Sequence, residues 1–163
     1  MRYTIPQGCD TMVATPTATR QGQLIFAKNS DRSWDECQPL EWHCREQHAA
    51  GATVDTQFMS LPQVKTTWRH VGSRPWWCWG YEHGFNEHQV VIGNEGLASK
   101  FEAASEPKLI GMEILRLGLE RGQTARQGPL GRIPYLIPLS GPARTERIAD
   151  GLHREGKDPP LLR

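Results

Sequence analysis

The sequence has little excess charge of either sign and no long apolar run. Its 163 residues include 19 Lys and Arg against 18 Asp and Glu, for a formal net charge of +1. Nucleic-acid-binding domains usually have a high pI and clustered basic residues, so we expect no nucleic-acid partner. A membrane-spanning helix needs a run of about 18 or more apolar residues. The sequence holds no such run, and we expect no membrane span.

Cysteine is also scarce. The four cysteines are Cys9, Cys37, Cys44 and Cys78. Disulfide-stabilised domains are usually short secreted chains with denser cysteines, so we expect reduced thiols. Residues 1–8 lack the apolar segment of a signal peptide, which favours a cytoplasmic location. His43 and His48 flank Cys44, but their spacing matches no standard zinc pattern, and we expect neither a metal nor another cofactor.

The apolar and β-branched residues form several short stretches followed by one helical segment. Residues 11–16 and the run that starts at Leu24 predict a hairpin, because Gln21-Gly22 between them favours a turn. We predict further strands over 40–47, 54–61, 66–71 and 89–92. A helix is predicted from Ser105, a suitable N-cap, to Gly122, a suitable C-terminal cap. Strands followed by a helix indicate an α+β fold.

The character of the chain changes after Ala125. Residues 127–163 are rich in proline and show no clear apolar period. Proline interrupts both helices and central strands. We therefore predict that this tail is mostly irregular.

Cys9 is the first candidate for a reactive residue. It lies just ahead of the predicted hairpin, whose second strand carries Lys28, Asn29 and Asp31. The hairpin would bring these three residues close to Cys9. The thiolate is the reactive form of cysteine and is favoured by a nearby cation, and a carboxylate can orient an ammonium group. The plain alternative is that Lys28 and Asp31 form a solvated strand end.

A second polar segment runs from Trp79 to Gly96. Asparagine amides and glycine N–H groups donate hydrogen bonds without carrying charge, as an oxyanion hole requires. Asn94, between two glycines, is the stronger candidate, since Asn86 lies in an Asn-Glu pair that is also common in turns. Trp79 belongs to a cluster of tryptophans that can form core or wall an apolar pocket.

The polar motifs form a specific combination, although no single motif is specific. In chain order they are Cys9-Asp10-Thr11, Lys28-Asn29-Ser30-Asp31-Arg32, Ser73-Arg74-Pro75, Trp79-Gly80, Asn86-Glu87, Ile92-Gly93-Asn94-Glu95 and the helical segment 111–121. This order and rough spacing resemble those of the secernin and dipeptidase proteins, which are N-terminal-nucleophile hydrolases. The resemblance covers about residues 8–125. It implies an α+β fold of the four-layer αββα type.

The resemblance also implies a mechanism. Residues 1–8 would be removed, so that Cys9 becomes the N-terminal residue. Its sulfur would attack the peptide carbonyl of a dipeptide while its own α-amine takes up the proton, and a thioester acyl-enzyme would follow. Asp31 would orient the amine, Lys28 would occupy the place of an arginine in related amidases, and Asn94 would hold the oxyanion. The residues expected to contact the substrate are Asn29, Trp79 and Asn86.

The length of the chain differs from that of the family, whose members run to several hundred residues. The resemblance therefore implies that 9–126 form only the N-terminal part of the hydrolase domain and that the fold is incomplete in this chain. A frameshift or a truncated gene product would produce the tail at 127–163. We expect little or no dipeptidase activity from this chain alone. Its small partners would be dipeptides, and homo-oligomerisation is left open.

A function of a different class is also consistent with the resemblance. The secernin branch is linked to exocytosis, so the chain could be a non-catalytic interaction or regulatory protein. The N-terminus discriminates between the two hypotheses, because the mechanism needs a free amine on Cys9. A mature protein that begins at Cys9 favours catalysis, and an intact Met1 favours either the non-catalytic alternative or an inactive fragment of the enzyme.

Overall fold

The computed structural model describes residues 8–96 and 108–127, together with the backbone of a strand at 147–151. In chain order, the strands and the helix of these ranges are β1 (Gly8–Ala14), β2 (Ile25–Asp31), β3 (Leu40–His43), β4 (Glu46–Gln47), β5 (Thr53–Asp55), β6 (Ser60–Pro62), β7 (Thr66–Thr67), β8 (His70–Ser73), β9 (His83–Asn86), β10 (Val91–Glu95), α1 (Gly111–Arg121) and β11 (Arg147–Gly151). Within these ranges, no helix is both long and apolar enough to cross a membrane.

The largest sheet has five antiparallel strands in the order β11-β10-β9-β8-β3. The chain also forms three two-stranded antiparallel pairs, which are β1–β2, β4–β7 and β5–β6. The predicted hairpin at the start of the chain is confirmed as β1–β2, with Cys9 inside the first strand rather than ahead of it.

The two faces of the five-stranded sheet pack against different elements. Gly84 faces α1, since a Cβ there would lie 2.6 Å from Cδ1 of Leu119. Gly93 pairs with His83, the residue before Gly84, and so faces the other way. A Cβ at Gly93 would lie 2.6 Å from Cζ of Phe26 in β2. The described residues therefore form three layers: α1, the five-stranded sheet, and the β1–β2 hairpin.

The apolar core lies between α1 and the sheet. One buried cluster contains Tyr81, Val90, Ile92, Leu115 and Leu119, and a second contains Leu61, Ile114 and Leu117. Burying one such side chain is worth about 1.5–3 kcal/mol, so this layer dominates the stability of the described part. It holds β9 and β10 in place as the support for the hairpin.

The helix begins later than predicted and ends where predicted. Its N-cap is Ile110 rather than Ser105, which itself lies outside the described residues. Glu113 supplies the acceptor for the exposed helix end, because its Oε2 accepts the Ile110 N–H at 3.0 Å. At the other end, the predicted cap Gly122 is confirmed, and its N–H donates to the Gly118 carbonyl at 2.8 Å.

Several strand predictions were wrong in extent. The segment 40–47 divides into β3 and β4, and 54–61 folds back on itself as β5 and β6 instead of forming one strand. The strand β9 was not predicted. The tail was expected to be mostly irregular, yet Arg147–Gly151 pairs with the edge of β10. The rest of the tail at 128–146 and 152–163, like residues 1–7, lies outside the described residues.

Candidate functional site

The register of the hairpin decides which side chains accompany Cys9. Cys9 lies directly opposite Ser30, and Thr11 lies directly opposite Lys28. Residues that are opposite one another in an antiparallel pair project to the same face. Cys9, Thr11, Lys28 and Ser30 therefore share the face that packs against β10. Cys9 is half-buried there.

Lys28 places an ammonium group on this face. Its side chain is 0% exposed, and its Nζ lies 3.7 Å from Oε2 of Glu82. The same Nζ donates to the Ser30 hydroxyl at 3.1 Å. Because Ser30 is the cross-strand partner of Cys9, the ammonium group is held next to the position of the Cys9 side chain.

Arg32 adds a second cation, one residue beyond β2. Its Nη1 lies 3.7 Å from Oε1 of Glu82, and its Nε donates to Glu36 at 2.9 Å. The hydrogen bond with Glu36 raises the pKa of Arg32, and the negative charges of Glu82 and of a Cys9 thiolate add to this rise. Arg32 therefore lies within electrostatic reach of the Cys9 sulfur.

Two further titratable groups line this junction between hairpin and sheet. Burial raises the pKa of Glu95, and the neighbouring charges of Asp10 and Glu82 reinforce the rise while Lys28 opposes it. Burial lowers the pKa of His83, and Lys28 adds to this lowering. Both residues are thus shifted towards their neutral forms beside the buried cation.

Buried polar atoms that make no hydrogen bond are concentrated here. Among the described residues, those at this end of β1, β9 and β10 are Thr11 Oγ1, Glu82 Oε2, His83 Nδ1 and Glu95 Oε1, while Asn94 Oδ1 lies on the α1 side of β10. A buried polar atom without a hydrogen bond costs about 1–3 kcal/mol. Each such atom in a native fold needs an explanation, and a role at a site that acts on a ligand is one of them. The junction around Cys9, Lys28 and Glu82 is therefore the candidate site.

Asp31 and Asn29 occupy the other face of β2. Asn29 is exposed, and its Nδ2 donates to Oδ1 of Asp31 at 2.6 Å. Asp31 lies opposite Gly8 in the register. The structure therefore brings Asp31 next to the Gly8–Cys9 peptide bond, where a new α-amine would arise, and does not bring it to the face of the Cys9 sulfur.

Asn94 is buried in β10, next to the residues that meet the hairpin. Its backbone N–H donates to the Glu82 carbonyl at 2.9 Å. Alternation along β10 puts its side chain on the same face as Ile92, which packs against α1. An oxyanion role for the Asn94 amide would require it to turn towards the hairpin.

The Asn86 amide is occupied within the fold. Its Nδ2 donates to the carbonyls of Leu119 at 2.9 Å and Gly122 at 2.7 Å, and its Oδ1 accepts from the N–H groups of His88 and Val90. These bonds satisfy orphan carbonyls at the end of α1 and close the turn between β9 and β10. Asn86 therefore joins helix to sheet and has no hydrogen-bonding capacity left for a substrate.

Trp79 lies at a different place from Cys9. The Arg116 guanidinium stacks 4.2 Å from its ring centroid, and Arg116 Nη1 donates to the Trp79 carbonyl at 2.9 Å. Trp79 borders a cavity of about 190 Å³ whose other walls include His70 and Glu120, and none of its lining residues belongs to the hairpin. The structure does not bring Trp79 to the candidate site.

The comparisons with known proteins identify no family. No known protein-family profile matches the chain, and no solved structure is significantly similar to it. In the described part of the chain, no group of three or more His, Cys, Asp and Glu side chains is arranged to hold a metal ion. The candidate site is therefore defined by the geometry of this chain alone.

Three residues of the site were not assigned a role from the sequence: Ser30, Arg32 and Glu82. Ser30 and Arg32 could have been found, because a strand places residues 28, 30 and 32 on one side. Glu82 carried no such signal. Its place depends on the pairing of β9 with β8 and β10, which joins segments far apart in the chain.

Proposed function

We propose that this chain carries the nucleophile of a peptide hydrolase, with Cys9 as the attacking residue after removal of residues 1–8. The observation that carries the proposal is the position of Cys9 opposite Ser30, on the face where Lys28 and Arg32 lie. A thiolate is stabilised by nearby cations, and it is the form that attacks a carbonyl. The order of layers, with a helix, a sheet and then a second pair of strands, supports a fold of the αββα type.

The proposed reaction has two steps. The Cys9 sulfur bonds to the carbonyl carbon of a dipeptide, the C–N bond breaks, and the departing amine takes a proton, which leaves a thioester on Cys9. Water then attacks the thioester and releases the second amino acid. An α-amine titrates at about 7.7–8.0, so the free amine of Cys9 can act as base near neutral pH. Asp31, opposite Gly8, is placed to accept a hydrogen bond from this amine.

An acylation experiment tests this proposal without requiring fast turnover. The purified protein is incubated with an aminoacyl p-nitrophenyl ester, and the acyl group is located by peptide mass spectrometry. We expect the adduct on Cys9. Cys9→Ala should remove the adduct together with any hydrolysis of a dipeptide panel. Cys37→Ala, at an exposed cysteine outside the site, should change neither.

The absence of acylation would favour the non-catalytic hypothesis. If wild-type protein forms no acyl adduct and keeps residues 1–8, the non-catalytic interaction or regulatory role gains support. Dipeptide hydrolysis that persists at full rate in Cys9→Ala would assign catalysis to another residue.

A further inference from the structure

We infer that Glu82 is a positioning residue that holds Lys28 and Arg32 beside Cys9 and thereby sets the pH range in which the Cys9 thiol reacts. The inference builds on the proposed role of Cys9 as nucleophile. It concerns a side chain that touches neither the reacting carbonyl nor the Cys9 sulfur, and that acts through the two cations.

The backbone of Glu82 is fixed between two strands. Its N–H donates to the Ser73 carbonyl at 2.8 Å, and its carbonyl accepts the Asn94 N–H at 2.9 Å. The side chain then projects towards the hairpin and is 2% exposed. A carboxylate on such a rigid support can orient the flexible side chains that contact it.

The carboxylate has one cation at each oxygen. Oε2 lies 3.7 Å from Nζ of Lys28, and Oε1 lies 3.7 Å from Nη1 of Arg32. Arg32 also has Glu36 as a partner, whereas Glu82 is the only carboxylate in an ion pair with Lys28 among the described residues. A buried ammonium group needs a counter-charge, and Glu82 supplies one to the Lys28 side chain.

Loss of Glu82 should shift the pH dependence of Cys9 reactivity, and the direction of that shift distinguishes a positioning role from simple charge repulsion. Removing a negative charge near a thiol favours the thiolate, while releasing Lys28, which has no other carboxylate partner among the described residues, disfavours it. The charged or titratable groups that interact with Glu82 itself are Lys28, Arg32, Cys78 and Glu95, and those that interact with its two cations are Cys9, Glu36 and His83. Positioning predicts that loss of Glu82 moves Cys9 reactivity to higher pH. Charge repulsion alone predicts a move to lower pH.

The experiment measures the rate of Cys9 alkylation by iodoacetamide against pH, with peptide mass spectrometry to resolve each cysteine. We compare wild type, Glu82→Gln and the matched control Glu120→Gln. Glu120 is also a buried glutamate paired with an arginine, since its Oε1 accepts from Arg116 Nε at 2.9 Å, but it lies on α1. Exposed Cys37 and Cys44 serve as internal references. Burial raises the pKa of Cys78 to about 11, so Cys78 stays unreactive.

We expect Glu82→Gln to raise the midpoint of the profile, with Cys9 alkylation about tenfold slower on the acidic side, as for loss of one adjacent cation. Glu120→Gln should stay within about twofold of wild type. An unchanged or lowered midpoint in Glu82→Gln overturns the inference. If Glu82→Gln melts far below wild type, Glu82→Asp replaces it, because aspartate keeps the charge but is shorter by one methylene. Glu82→Asp should raise the midpoint by a smaller amount than Glu82→Gln. An unchanged midpoint in Glu82→Asp also overturns the inference.

The outcomes for the two proposals can be told apart, because alkylation needs no peptide substrate. A wild-type Cys9 that reacts no faster than Cys37 at any pH would count against Cys9 as nucleophile. A reactive Cys9 whose profile is indifferent to Glu82 would remove only the positioning role.

Discussion

Lys28 and Glu82 form an ion pair that is almost completely removed from solvent. Nζ and Oε2 are 3.7 Å apart, and the two side chains are 0% and 2% exposed. A buried ion pair adds little stability relative to apolar residues of the same size, but breaking one leaves a charge unpaired. The pair therefore ties the hairpin to the sheet, and the position of Cys9 depends on it.

Replacing Lys28 alone should be more damaging than replacing both partners. Lys28→Met leaves Glu82 buried with Arg32, which is itself shared with Glu36, as its remaining cation. We expect a loss of about 3 kcal/mol in the free energy of unfolding. Adding Glu82→Gln removes the unpaired charge and should recover part of that loss. Urea unfolding of wild type, both single variants and the double variant measures this coupling. Additive losses in the double variant would contradict a direct interaction.

Gly93 should tolerate no side chain, because the hairpin packs directly on it. A Cβ at Gly93 would lie 2.6 Å from Phe26 Cζ and 3.3 Å from Lys28 Cδ. We expect Gly93→Ala to cost about 1–3 kcal/mol and to move the hairpin, which should also alter Cys9 alkylation. Gly96→Ala is the control, since a Cβ there meets no atom within 4 Å. Equal stability of the two variants would contradict the packing of β2 on β10.

Asn86 and Asn29 should respond differently to the same change. Asn86→Ala removes four hydrogen bonds and leaves buried carbonyls at the end of α1 unpaired, so we expect a loss of about 3 kcal/mol. Asn29→Ala removes one exposed bond to Asp31 and should change the free energy of unfolding by less than about 0.5 kcal/mol. Thermal or urea unfolding of both variants measures the two changes in stability. A larger effect at Asn29 would be incompatible with a structural role for Asn86.

The free energy of unfolding should fall on mild acidification. Burial lowers the pKa of both His70 and His83 below the ordinary value of 6.5. Below about pH 6.5 the unfolded chain therefore binds more protons than the native protein, and stability decreases as pH falls. His83→Gln should make the free energy of unfolding fall less between about pH 7 and pH 5 than it does in wild type. An unchanged pH dependence in that variant would show that His83 does not titrate as an isolated buried group.

Local signals in the sequence were sufficient for some elements. The hairpin was predictable because two short strand-forming runs flank Gln21-Gly22, and the end of α1 was predictable from Gly122. The start of α1 was not, because the acceptor that caps it comes from Glu113 inside the helix instead of a residue before it. The local sequence favours a helix start at Ser105. Glu113 also accepts a hydrogen bond from the Gln57 N–H, which is a contact between distant segments that no local pattern reveals.

In the candidate site, too, local sequence signals predicted some features and long-range contacts determined the others. Cys9 and Lys28 were predicted to be close, and the register of β1–β2 brings them to one face. Strand β9 was missed because Gly84 and Asn86 are poor strand formers, although both are buried and fixed by α1. Glu82 precedes that strand, so its role depends on contacts between segments far apart in sequence, which no local pattern reveals.

The intact mass and N-terminal sequence of the purified protein give the sharpest test of Cys9 as an N-terminal nucleophile. We expect a mature chain that lacks residues 1–8, begins at Cys9 and is labelled there by an aminoacyl ester. A homogeneous preparation that keeps residues 1–8 and hydrolyses dipeptides at full rate would contradict it, because the Cys9 amine would then never be free to act as base.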